Sequence, residues 1–202
     1  MRVLVACEFS GIVRDAFVAR GHDAWSCDLL PTEREGNHIQ GDVLDMLDDG
    51  WDMMIAHPPC THLAVSGAAW FEEKRKDGRQ QEGIDFFMAF TKTSIEKTAI
   101  ENPVGIMSKL YRKPDQIIQP YFFGEEAQKT TCLWLKNLPC LAHWEADNLF
   151  FKKTHTHKGE LVTYASGKRM PKWYAELRGK GKERSKTFQG IAEAMAEQWG
   201  SQ

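Results

Sequence analysis

The apolar positions of this chain fall into two kinds of run. Residues 2–7 (RVLVAC) are almost continuously apolar. Such a pattern over so short a length suits a strand of a parallel sheet covered on both faces. Glu8-Phe9-Ser10-Gly11 interrupts it as a turn. Over residues 12–20, Val13, Ala16 and Phe17 recur at helical spacing, and Gly21 stops the helix. Residues 23–28 (DAWSCD) predict a second strand that ends on an acid. Strand, glycine turn, helix, strand, acid is the opening of a doubly wound α/β unit.

Residues 38–40 lead into Gly41-Asp42-Val43 as a short edge element, and 44–49 predict one or two helical turns. Residues 51–57 (WDMMIAH) predict the next strand. Residues 67–77 read as a loop, with Trp70 and Phe71 as aromatics for a pocket or lid. A helix is predicted over 80–92, with Ile84, Phe87 and Met88 on its apolar stripe. Residues 99–103 read as a strand end and turn, 108–111 as a short helix, and 116–123 as mixed. Residues 130–135 (TTCLWL) form a strand by their β-branched and aromatic content. Residues 147–184 are polar, basic and rich in Gly, His and Lys, a loop-dominated excursion with a short helix near 171–177. A last helix spans 190–199, with Ile191, Ala194, Met195 and Trp199 on one face. The expected architecture is one compact α/β domain over 1–202, doubly wound around a mostly parallel sheet. A basic, loop-rich insertion occupies 141–187.

Composition narrows the setting. A formal charge of -2 gives no global drive toward nucleic acid. Its distribution is uneven: acidic over 27–52, basic over 152–186. Five cysteines, an odd number without any C-x-x-C, argue against a disulfide framework and a structural zinc site. The histidine spacings suggest no metal cluster. Glu8, Arg14 and Asp15 come too early for a secretory segment, and no apolar run approaches a membrane span. The expectation is a soluble, reduced, cytoplasmic protein without a membrane partner.

The chemistry concentrates at Ile55-Ala56-His57-Pro58-Pro59-Cys60-Thr61-His62. A strand ends, two prolines stiffen its exit, and a thiol follows at the rim of the sheet. Cys60 reads either as a nucleophile for an electrophilic ring or as a small buried hydrophobe. If the strands before His57 and Glu101 run parallel, Glu101 reaches the same edge, where open α/β sheets bind ligands. There is no G-x-G-x-x-G, so the dinucleotide fingerprint is absent.

In this order the motifs resemble the catalytic domain of the cytosine C5 DNA methyltransferases. Phe9-Ser10-Gly11 resembles the family's F-x-G turn, Asp28 the acid ending its second strand, and Gly41-Asp42-Val43 its adenine segment. Pro58-Pro59-Cys60 resembles the catalytic P-C motif, Ser66-Gly67 the loop after it, and Glu101-Asn102 the E-N-V motif, with Pro103 in place of valine. Gln128-Lys129 and the last helix resemble later motifs more loosely. The resemblance implies a Rossmann-like S-adenosylmethionine-dependent methyltransferase fold. It makes Cys60 the nucleophile, Glu101 the acid at the pyrimidine N3, and Asn102 the residue that orients the turn or the base. It assigns Phe9, Ser10, Gly11, Asp28, Leu29, Asp42, Val43 and Pro58 to S-adenosylmethionine. The substrate residues expected at this site are His57, Pro59, His62, Ser66, Gln128 and Lys129, and the basic run, apart from the resemblance, adds Lys168 and Arg169 as phosphate contacts.

Three departures stand out. Arginines expected near Gln128 are missing, His57 replaces a glycine or aromatic residue, and the span after Leu135 is shorter than a typical target-recognition domain. The implied reaction is methylation of cytosine C5 in DNA. Two alternatives stand beside it: the same chemistry on a free pyrimidine nucleotide such as dCMP, and a non-catalytic nucleic-acid-binding protein of this fold. Compact size favours the nucleotide. The basic excursion, with Trp173 and Tyr174 among its cations, favours DNA.

Overall fold

A computed structural model describes residues 1–201. Its parallel strands are β1 (Arg2–Ala6), β2 (Asp23–Asp28), β3 (His38–Gln40), β4 (Met53–Ala56) and β5 (Lys97–Pro103). They are joined by β6 (Gln116–Ile118) and β7 (Thr131–Lys136), with β7 antiparallel to both β5 and β6. The sheet order is β3-β2-β1-β4-β5-β7-β6. This is the doubly wound, mostly parallel α/β sheet that the patterning predicts, with one strand reversed near its edge.

Alternation within β1 shows why its sequence is apolar throughout. Val3 and Val5 enter the core layer formed by the helices α1 (Ile12–Val18) and, at the far end of the chain, Gln189–Gly200. Leu4 and Ala6 face the opposite layer, where Phe87 and Phe90 pack with Trp134. Slipping the register by one residue would exchange these two packing sets wholesale. The terminal helix packs Ile191, Met195 and Trp199 against the first layer. It lies so close to the turn before β7 that a Cβ on Gly190 would meet the Phe123 carbonyl oxygen at 2.0 Å.

Residues 67–77 are not a loop. A 3-10 turn, Val65–Trp70, runs directly into α2 (Phe71–Lys76), followed by α3 (Arg79–Thr91). α2 carries no apolar stripe for periodicity to detect. It is held by a Glu72–Lys76 pair along its face and by Lys74, whose Nζ donates to the Thr61 carbonyl at 2.6 Å. α4 (Met107–Leu110) is the expected short helix. The excursion is better ordered than its composition suggests. It contains a hairpin of β8 (Leu161–Thr163) and β9 (Arg169–Pro171), then α5 (Lys172–Glu176) and α6 (Gly181–Ser185); the terminal helix, α7 (Gln189–Gly200), follows it. No helix of the described residues is long and apolar enough to cross a membrane.

One buried cation fixes the loop after β2. Arg14 is fully buried. It pairs with Asp15 at 2.7 Å and donates to Ser26, Thr32 and the carbonyls of Arg34 and Glu35. Arg14→Met keeps the apolar stem but strands those acceptors. It is expected to lower unfolding stability by about 2–4 kcal/mol, read as a reduced denaturant midpoint at unchanged slope.

Candidate active site

The strand registers converge on one edge of the sheet. Ala6 pairs with Cys27 on one side and Ala56 on the other, and Ala56 pairs with Ile100. The residues that follow, Asp28, Cys7, His57 and Glu101, therefore leave adjacent strands side by side. The His57 N–H donates to the Ala6 carbonyl at 2.9 Å, and its Nδ1 lies 3.3 Å from Glu101 Oε2. Glu101 stands opposite Leu133 on the antiparallel β7.

Beyond His57 the two prolines carry the chain out of the sheet. Asn102, only 2% exposed, donates from Nδ2 to the Pro58 carbonyl at 2.7 Å. Cys60 begins a tight turn, its carbonyl accepting from the N–H groups of Leu63 and Ala64. Lys74 and Gln80 hold the carbonyls of Thr61 and His62 from α2 and α3. Asn102 thus acts through the backbone of the cysteine loop.

Cys60, Glu101, Asn102, His57, Pro58 and Pro59 line a cavity of ≈ 120 Å³ together with Cys7, Phe9, Ser10 and Lys129. A larger, more open depression of ≈ 600 Å³ lies elsewhere, lined by Met1, Leu47, Trp51 and Ser94. It is at the opposite ends of the strands and contains no thiol; ligands of open α/β sheets bind at the carboxyl ends. The smaller cavity is therefore the candidate site.

Its electrostatics are asymmetric. Burial pushes the Cys60 thiol up from its ordinary pKa, and the Glu101 carboxylate pushes it the same way; Lys129 and Arg184 pull it back without cancelling the rise. Burial also works to raise Glu101, but the His57 hydrogen bond, the Lys129 charge and Thr131 together hold it below the usual carboxylate range. The resting site holds a protonated thiol beside an ionised carboxylate.

The first turn is built around Glu8, a buried acid the sequence reading passed over. Its carboxylate accepts from the Val13 and Arg14 N–H groups at 2.7 and 3.2 Å and from Ser10 Oγ at 3.1 Å. The amides that open α1 are thus taken by a protein carboxylate, leaving no vacant phosphate cradle. Gly11 adopts φ 72°, and a Cβ there would lie 2.5 Å from Arg14 Nη2. Asp28 accepts from Leu30 N through Oδ1, and Asp42 caps the turn over Val43–Met46 through Leu44 N. Both carboxylates act electrostatically on Cys7, which places them at the same edge. Val43 is buried in the core and Leu29 is 72% exposed.

The remaining residues separate. Ser66 is exposed on the 3-10 turn, with Trp70 62% exposed beside it. Gln128 gives its carbonyl to Trp173, and His62 gives its own to Gln80. Lys168 and Arg169 are exposed on the hairpin, outside the cavity. Arg184, Ser185, Lys186 and Thr187 instead form one wall. Their signal in the sequence is the end of the basic run, immediately before a helix that returns to the sheet.

That wall is fastened from across the site. Lys182 and Lys186 both pair with Glu33, at 3.2 and 2.6 Å, and Lys182 lies over the Phe9 ring at 4.8 Å. Lys129 donates to the Lys186 carbonyl. Known ligand pockets span about 300–1,000 Å³, so a ligand of that size needs the wall to move. Partly exposed ion pairs of this kind are worth about 1 kcal/mol or less each.

No known family profile matches the chain, and no curated protein does. Among solved structures, an E. coli protein described as a candidate DNA modification methyltransferase encoded within a prophage is similar at 18% identity and a TM-score of 0.46. The match covers 78% of this chain and 52% of that one, so this chain spans about half the length of the solved protein. The sheet described above is Rossmann-like: doubly wound and mostly parallel, with β7 reversed.

Glu101→Gln removes the negative charge that opposes thiolate formation. The alkylation rate of Cys60 by iodoacetamide, followed by peptide mass spectrometry, is expected to rise at lower pH in this variant than in the wild type. An unchanged profile would separate the two side chains electrostatically.

Proposed function

We propose that the protein transfers a methyl group from S-adenosylmethionine to carbon 5 of cytosine in DNA. One observation carries this reading. A thiol and a carboxylate from neighbouring parallel strands share one cavity with the first-strand turn, at the edge where α/β sheets bind ligands.

Cytosine C5 is a poor nucleophile, and attack of a sulfur at C6 makes it a good one. Cys60 supplies that sulfur from a loop fixed by Asn102 and Lys74. Glu101 stands within electrostatic reach of Cys60, suited to the N3 side of the ring. Asn102 sets the position of the thiol rather than touching the base.

The residues present fit the cofactor. Asp28 spends one carboxylate oxygen on Leu30 N, and the other suits a ribose diol. Cys7, Phe9 and Ser10 bring the first-strand turn to the cavity of Cys60, while Asp28 stands at the same sheet edge outside its lining. When bound, S-adenosylmethionine supplies an electrophilic sulfonium methyl.

The distribution of cations favours a polymer. Lys152, Lys153, Lys158, Lys168, Arg169, Arg178 and Lys180 are exposed and make no ion pair among the described residues, whereas Lys172, Lys182 and Lys186 are paired. A single nucleotide phosphate needs only a few of them; a DNA backbone uses many. A target base in a duplex must leave its stack to reach a cavity at the sheet edge. The brevity of the insertion favours a free pyrimidine nucleotide as the second reading.

Labelled S-adenosylmethionine offered separately with DNA, RNA and free cytidine nucleotides decides between them. The expected outcome is label in DNA alone, with binding that weakens steeply as salt rises. Label confined to free nucleotides would reject DNA, and cofactor binding without transfer to any of the three would make this a binding protein.

Cys60→Ala is expected to abolish transfer while cofactor affinity, measured by calorimetry, stays within about twofold of wild type. Turnover that survives this substitution would exclude a covalent adduct.

A further inference from the structure

His57 occupies the end of β4, between Cys7 on one neighbouring strand and Glu101 on the other. Its side chain is 9% exposed, that of Glu101 14%, and the two meet at 3.3 Å through Nδ1 and Oε2. The other ring nitrogen, Nε2, is buried without a partner. An unpaired buried polar atom is costly and rare enough to need a reason. Here it belongs to a residue that lines the cavity of Cys60.

Nucleophilic attack needs a thiolate, and the resting thiol keeps its proton. The ionised carboxylate beside it is the acceptor the site offers. We propose that His57 is a positioning residue, whose contact with Oε2 orients Glu101 in the cavity it shares with Cys60, so that Glu101 takes the Cys60 proton and returns it to cytosine N3. The inference rests on the cytosine C5 reading above.

The step balances within the site. The S–H bond breaks and its proton passes to Glu101, while a sulfur electron pair forms the bond to C6. The C5=C6 π pair becomes a C4=C5 bond, and the N3=C4 π pair binds the proton that Glu101 gives back at N3. Glu101 ends as it began, and C5 is left electron-rich. The groups around Glu101 are His57 at the end of β4, Cys60 beyond it, Lys129 before β7, and Thr131 and Cys132 on β7; Arg184 acts on Cys60 from the opposite wall.

The sign of the pH effect follows. Glu101 must be ionised to accept the proton, so activity falls on the acid side as Glu101 becomes protonated. Without the His57 donor, burial still favours the neutral acid, and the acid limb moves to higher pH.

The test compares transfer to cytosine DNA by wild type, His57→Phe, His57→Asn and His57→Gln from acid to neutral pH. His57→Phe is expected to lose turnover on the order of ten- to hundredfold, by analogy with the loss when a residue that orients a metal ligand is removed. KM should change little, and the acid limb should move up. The Asn amide reaches the place of Nδ1 and should restore the limb; the Gln amide reaches the place of Nε2 and should not. Carboxyl ¹³C NMR of Glu101 should follow the same order, whether or not a variant turns over. One acid limb and one Glu101 titration shared by all four folded proteins would overturn the proposal, reducing His57 to a space-filling role. Wild-type enzyme that methylates no cytosine substrate would instead overturn the reading on which the proposal rests, while the Glu101 titration would still report on the His57 contact.

Discussion

The register of the parallel strands is the constraint on which the rest of this molecule depends. Both faces of β1 and β4 are buried, so each strand must present correct residues to two layers at once. That requirement forbids a one-residue slip. It also aligns the carboxyl ends of the strands, so that residues at that edge become neighbours. Asp28, Cys7, His57 and Glu101 are brought into a row by packing many residues away. Only the short exits, two prolines here and a strained Cys7 at φ 59° there, are local inventions.

At that edge, the polar groups divide by whether the fold already uses them. Glu8 is spent on the start of α1, Asn102 on the Pro58 carbonyl, and Arg14 on the loop after β2. These are structural roles, even though each residue stands beside the cavity or beneath its rim. Others are left over: His57 Nε2 and Arg184 Nε are buried without partners. Arg184 is stacked over Tyr174 at 4.6 Å and makes no ion pair among the described residues. Among the described residues His62 Nδ1 and Gln119 Oε1 are also buried without partners, so the unmet hydrogen-bonding is shared between this cavity and the loops around it.

The parts legible in the sequence were those whose signal is local. β1 is a short apolar run, β7 a β-branched and aromatic one, β2 a short run bounded by acids after a helix-stopping glycine, and α3 and α7 carry apolar stripes, so composition and period sufficed. The Cys60–Glu101 pairing was legible too, because two strand ends in one parallel sheet must share an edge. α2 was missed because Phe71–Lys76 is polar almost all round; its order comes from an ion pair along the helix and a lysine reaching back to Thr61. The β8–β9 hairpin was hidden by a turn rich in polar residues and by strands of three residues each. Glu8 escaped although its partners Ser10, Val13 and Arg14 are local, because an acid in a turn before a helix looks in sequence like any other polar turn residue. The wall over 184–187 escaped because its tie lies far along the chain: Glu33 is remote in sequence from Lys182 and Lys186.

That remoteness bears on how the site opens. The wall is the stretch between the basic excursion and α7, and α7 is locked into the core by Trp199 and Met195, both fully buried. Its downstream end is therefore fixed, while its upstream end leads into short elements joined by Gly179 and Gly181. The ties that hold it over Phe9 are lysine–glutamate pairs with partly exposed side chains, weak enough to break without disturbing the core. Both lysines converge on Glu33, whose loop is anchored by Arg14 rather than by the wall itself. The wall is thus held over the cavity by several individually weak contacts, the Lys129 bond to the Lys186 carbonyl and the Lys182–Phe9 stack included.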